Sequence, residues 1–174
     1  MKKIMMMVAL VAMTMTVSAQ SLDGNWQAEK LMEDVKMDYI LTFEGNQMSQ
    51  RLVCTCEQEI GTVSIEFAVP AQSYTPESKT LNFAFDASMT EVKLKEVKFN
   101  EQTKAVIKEK PSWEDFFKKL VLEDFEEKKE KIANQFLFSG ECTITKQTAQ
   151  SFELNGSNGE TYVFKKAAIT SQTK

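Results

Sequence analysis

Val35, Met37, Tyr39, Leu41 and Phe43 occupy every second position of one stretch, and the alternation returns at Val63, Ile65, Phe67 and Val69 and again at Leu81, Phe83 and Phe85. Period two puts one set of side chains on a single face of an extended strand, so a chain that repeats it must build a sheet with one apolar side. The punctuation agrees. Glu44-Gly45-Asn46-Gln47, Gly61 and Asn155-Gly156-Ser157-Asn158-Gly159 are turn signals between the runs. A first strand is expected from Trp26 to about Lys30, and Met48, Leu52, Cys54 and Cys56 share a face of the strand returning after Gly45. Pro70 to Lys79 reads as a loop. Val92 and Leu94 begin a further strand, but Val97 and Phe99 resume on the opposite parity, which predicts a β-bulge at Lys95-Glu96. Asn100 to Thr103 reads as a turn and Lys104 to Lys110 as one more short strand.

The period changes after Pro111. Trp113, Phe117, Leu120, Val121 and Phe125 keep to one helical face, with Phe116 beside it. Ser112 reads as an N-cap followed by the acids Glu114 and Asp115. One long helix is therefore predicted over about 112–134, carrying Glu114–Lys118 and Glu127–Lys131 as i,i+4 pairs. Phe138 to Ile144, Phe152 to Leu154 and Tyr162 to Phe164 supply the last three strands, and Ala167 to Lys174 is a polar tail.

Met1-Lys2-Lys3, the apolar run Ile4 to Val17 and the small residues Val17-Ser18-Ala19 have the form of a secretory signal peptide cut before Gln20. The run is shorter than a membrane span of about 20 residues. The expectation is an exported protein, periplasmic or extracellular, with residues 1–19 removed and 20–174 forming a single domain. Without Lys2 and Lys3, 19 basic residues face 25 acidic ones, a net charge of −6. Nucleic acid and anionic membrane surfaces demand clustered cations, so neither is an expected partner. The sequence contains no histidine. That removes histidine acid–base catalysis, histidine-based hydrolase machinery and most transition-metal sites. No cofactor and no metal are expected, and the chain reads as non-enzymatic.

Strands joined by hairpins expose edges unless the sheet closes on itself. The expected fold is mainly β: an antiparallel up-and-down β-barrel of about eight or nine strands, with the helix inserted before the last three. Gly24-Asn25-Trp26 at the head of the first strand, followed by this run of strands, resembles the lipocalin-like (calycin) group. The resemblance implies that Trp26 plugs the closed end of the barrel and that a basic residue from the last strand packs across it. Thr161-Tyr162-Val163-Phe164-Lys165-Lys166 offers lysine where that group usually has arginine; its T-D-Y motif is missing, and its helix ordinarily closes the chain.

The functional expectation is a non-catalytic binding protein for a small hydrophobic or amphipathic ligand. Tyr39, Leu41, Phe43, Ile65, Phe67, Phe83 and Phe85 would line the cavity, with Trp113 and Phe117 on the helix across its mouth. The alternative is an envelope interaction or structural module whose barrel is filled and holds no ligand; no particular protein partner is indicated. The cysteines leave two readings open. Cys142 could bridge Cys54 or Cys56 if their strands meet, or all three could be reduced thiols packed as small hydrophobes.

Overall fold

The computed structural model describes residues 21–167. The expected signal segment 1–19 lies outside the described residues, as does the tail from 168 onward. Ten strands form one antiparallel sheet: β1 Gly24–Met32, β2 Val35–Glu44, β3 Gln47–Gln58, β4 Gly61–Ala68, β5 Gln72–Ser73, β6 Thr80–Phe83, β7 Glu91–Phe99, β8 Gly140–Gln147, β9 Ser151–Asn155 and β10 Thr161–Lys166. Helices α1 Glu101–Glu109 and α2 Trp113–Phe136 stand between β7 and β8.

Alternation becomes burial as expected. Met37, Tyr39, Leu41 and Phe43 of β2 are buried, as are Met48, Gln50, Leu52 and Cys54 of β3 and Val63, Ile65 and Phe67 of β4. Register stacks these residues into rungs across the sheet. Ala28, Tyr39, Leu52, Phe67 and Val92 form one; Lys30, Met37, Cys54 and Ile65 form the next; Met32, Val35, Cys56 and Val63 form the outermost. The bulge falls where the parity slip puts it. Ser64 pairs Glu96 and Ile65 pairs Leu94, leaving Lys95 as the extra residue.

Three expectations are corrected. Residues 101–109 are helix α1, not a turn and strand: the Asn100 side chain accepts from the Thr103 N–H at 2.9 Å, an N-cap that the β-branched pair Val106-Ile107 obscured. The helical insertion is thus two helices, and α2 ends at Phe136. Ser112 makes no capping bond with its side chain; the first donors of α2 reach the carbonyls of Lys110 and Pro111. Finally, the strand order is β6-β8-β9-β10-β1-β2-β3-β4-β7, with β5 on β3, so the sheet is not a simple up-and-down meander. The loop expected from Pro70 to Lys79 contains β5 and carries the chain to the far end of that order.

Backbone hydrogen bonds leave the sheet open, because β6 and β7 end the order without pairing. The path splits at β3. Its first residues, Gln47 and Met48, pair β5, while Arg51 to Gln58 pair β4. From β5 the Gln72 side-chain amide crosses to β6, donating to the Asn82 carbonyl at 2.6 Å and accepting from the Ala84 N–H at 3.0 Å. On the other branch α2 lies against β7, β4 and the 3-10 turn Ala87–Met89, with Phe125 6.2 Å from Phe67 and Phe117 6.3 Å from Phe99.

Candidate functional site

The sheet curls until its inward faces meet over one ring. Phe138, in the link between α2 and β8, lies within 6 Å of Tyr39, Phe83, Tyr162 and Phe164, which come from β2, β6 and β10. Gln50 holds it there from β3. The Gln50 amide donates to the Phe138 carbonyl and accepts from the Phe138 N–H, both at 2.9 Å. A buried amide ordinarily carries a cost of about 1–3 kcal/mol per unmet group. Here each side-chain atom meets a backbone partner that would otherwise be an orphan in an apolar interior. The segment Leu137-Phe138 is thereby fixed inside the curled sheet.

Six of the residues expected to line a cavity, Tyr39, Leu41, Phe43, Ile65, Phe67 and Phe83, are buried on the inward face, and Phe85 is half-buried. They pack on the protein's own side chains. Phe43 meets Tyr74 and Phe152, Phe152 stacks on Phe164 at 5.0 Å, and Tyr39 sits edge-on to Tyr162 at 5.0 Å. The space left between Met48, Gln50, Val69, Pro70, Gln72 and Phe83 is too narrow for a water molecule. Trp113 and Phe117 are not brought to these residues. They cluster with Phe116 on the first turns of α2, Phe117 reaching Phe99.

The other end is built around Gly24-Asn25-Trp26. Trp26 is 1% exposed, donates its indole N–H to the Leu22 carbonyl and meets Phe152 edge-on at 5.0 Å. Lys166, its register partner on β10, sets its ammonium 5.4 Å from the indole centroid, a cation–π contact. Gly24 makes room: its φ is +113°, and a Cβ there would stand 3.3 Å from the Lys166 side chain. The glycine, the tryptophan and the terminal-strand cation are therefore one packed unit.

At the opposite rim Lys30 bonds both carboxylate oxygens of Glu160 at 2.7 Å, and the Tyr162 hydroxyl donates to the same carboxylate at 2.6 Å. The Lys30 ammonium bond holds Glu160 below its ordinary value. Burial pushes the Tyr162 and Tyr39 hydroxyls up. Burial likewise raises the Cys54 thiol to about 12 and lifts that of Cys142. All three cysteines are free thiols, and β8, which carries Cys142, pairs with β6 and β9 rather than with β3.

On the outer face Glu66 is buried between Arg51 at 3.5 Å and Lys95 at 3.6 Å, an ion-paired arrangement with no adjoining nucleophile described. Among the described residues no group of three His, Cys, Asp or Glu is placed to hold a metal, and no helix is long and apolar enough to cross a membrane. No family model matches the chain, nor does any curated protein or solved structure. The residue that sequence reasoning missed is Gln50. Its signal was a lone amide on the buried parity between Met48 and Leu52, a position that an uninterrupted apolar face would give to a hydrophobe.

Proposed function

We propose that this is an exported, non-catalytic domain of lipocalin-like architecture whose interior is filled by its own chain, and that it works through its surface as an envelope interaction or structural module. The observation that carries the reading is Phe138, its backbone held by two Gln50 hydrogen bonds and its ring set among inward aromatic residues where a ligand would otherwise sit. The Gly24–Trp26–Lys166 unit supports the lipocalin-like part, since it pairs the tryptophan with a terminal-strand cation. The surface part rests on the helical insertion, where Val106, Trp113, Phe116 and Leu120 are exposed, Phe116 by 50%. Large apolar side chains gathered on one exposed element are characteristic of contact surfaces.

Uptake of a fluorescent fatty-acid analogue tests the filled interior. The wild-type protein should bind none stoichiometrically, while Phe138→Ala, which vacates a ring's volume, should take up about one per chain. Stoichiometric uptake by the wild type would overturn the reading in favour of an apolar-ligand carrier. Phe116→Glu with Leu120→Glu tests the surface: it should leave the far-ultraviolet spectrum intact and remove cross-links to envelope partners.

A further inference from the structure

Of the seven sulfur-bearing residues from Gln20 onward, Met32, Met37, Cys54 and Cys56 lie on the two outermost inward rungs of β1, β2 and β3. Met37 is the register partner of Cys54, and Cys56 follows two positions along the same face. Register partners in an antiparallel pair stand about 4.5–5.5 Å apart at Cα, and same-face neighbours along a strand about 6.6 Å. The Met37 sulfur accepts from the Tyr39 hydroxyl at 3.6 Å and the Cys56 sulfur from the Gln58 amide at 3.3 Å, so turning the three sulfurs toward one centre exchanges these two contacts for the ion. Cys54 and Met37 are buried, whereas Cys56, two positions nearer the end of β3, is half-exposed, so the cluster is reached from the rim through Cys56.

We infer that Met37, Cys54 and Cys56 form a site for one soft monovalent cation, Cu(I), with Ag(I) as its chemical stand-in. Thiolate and thioether ligands select Cu(I) among the first-row metals, and this ion accepts two or three of them. Zinc needs a fourth hard or borderline ligand, and no group of three His, Cys, Asp or Glu gathers among the described residues. A disulfide between Cys54 and Cys56 is disfavoured, because same-face neighbours on an extended strand sit at the edge of the permitted separation. Binding involves no electron transfer. Two S–H bonds break, two protons pass to solvent, two Cu–S thiolate bonds form, and the Met37 thioether donates a lone pair. The product carries one net negative charge on a rung that includes Lys30, the register partner of Met37, whose ammonium is bonded to Glu160. This inference is independent of whether the interior is filled.

Anaerobic competition of the full chain against bicinchoninate, with Cu(I) added as its acetonitrile complex, provides the test. The wild type should withdraw one Cu(I) per chain. Cys56→Ser, at a half-exposed position that keeps the fold, should weaken retention at least a hundredfold, and Met37→Leu about tenfold. Cys142→Ser, with its sulfur on β8, should retain copper as the wild type does. If bicinchoninate keeps all the copper, or if Cys142→Ser weakens retention as much as Cys56→Ser, the site does not exist and the sulfurs are packing. Displacement of the bound ion by equimolar Zn(II) would equally overturn the assignment.

Discussion

Gln50 shows how a single side chain can decide what a curled sheet encloses. It occupies an inward position that its strand's pattern would give to leucine, yet both ends of its amide are matched to the backbone of Phe138. Gln50→Leu would fill the same space and strand the Phe138 N–H and C=O in an apolar interior. The expected loss is about 2–4 kcal/mol, the sum of two unmet groups at about 1–3 kcal/mol each, less what the added hydrophobe returns. Gln50→Glu keeps the acceptor for the N–H but turns a second oxygen toward the carbonyl, so it should be at least as damaging at neutral pH. Urea unfolding of both variants checks this. If Gln50→Leu unfolds at the wild-type midpoint, Phe138 is not held by these bonds. Sequence alone places Gln50 on the buried face but cannot show its partner, which lies 88 positions away.

At the level of elements, the hairpin β1–β2 turns through Glu33, a non-glycine residue with φ of +50°. The left-handed region costs an L-residue about 1–2 kcal/mol. Glu33→Gly should therefore raise stability by about 0.5–1 kcal/mol, the relief of strain exceeding the extra freedom glycine gives the unfolded chain. A higher thermal midpoint is the expected reading. The strands were legible because burial on one face enforces period two, and even the bulge at Lys95 announces itself as a change of parity between Leu94 and Val97. Helix α2 was legible for the same reason at another period, and its Glu114–Lys118 pair forms as read; further along, the ion pairs are Lys119–Glu123, Asp124–Lys128 and Glu126–Lys129 rather than the expected Glu127–Lys131. Helix α1 was not. Its nine residues bury only Thr103, so no apolar stripe marks it, and Asn100 serves a turn and an N-cap equally well in sequence. The two-residue β5 is likewise too short to carry a period. Of the expected site, the inward aromatic residues were readable from their spacing; the separation of Trp113 and Phe117 from them was not, because it depends on where α2 docks.

For the whole molecule the consequence of burying these side chains is that their acidic groups stay neutral. Cys54, Cys142, Tyr39 and Tyr162 all have their ionisation pushed upward chiefly by burial, Cys54 to about 12. In the unfolded chain the same thiols ionise near pH 8.5 and the phenols near 10. Above those values the unfolded state binds fewer protons than the folded one, so the stability of the metal-free protein must fall as pH rises. The contribution is complete below about pH 8, begins to be lost as the unfolded thiols ionise, and falls more steeply past pH 10 when the tyrosines join. Each group contributes at most about 1.4 kcal/mol per pH unit within its window. The urea midpoint should accordingly be lower at pH 9.5 than at pH 7 and lower again at pH 10.5. Cys54→Ala with Cys142→Ala should flatten the segment between pH 8.5 and 10 while leaving the steeper tyrosine part. A midpoint that holds constant from pH 7 to 10.5 would mean that water reaches these groups in the folded state. The curled sheet would then not be sealed around Phe138, and an interior open to water would be open to ligands too.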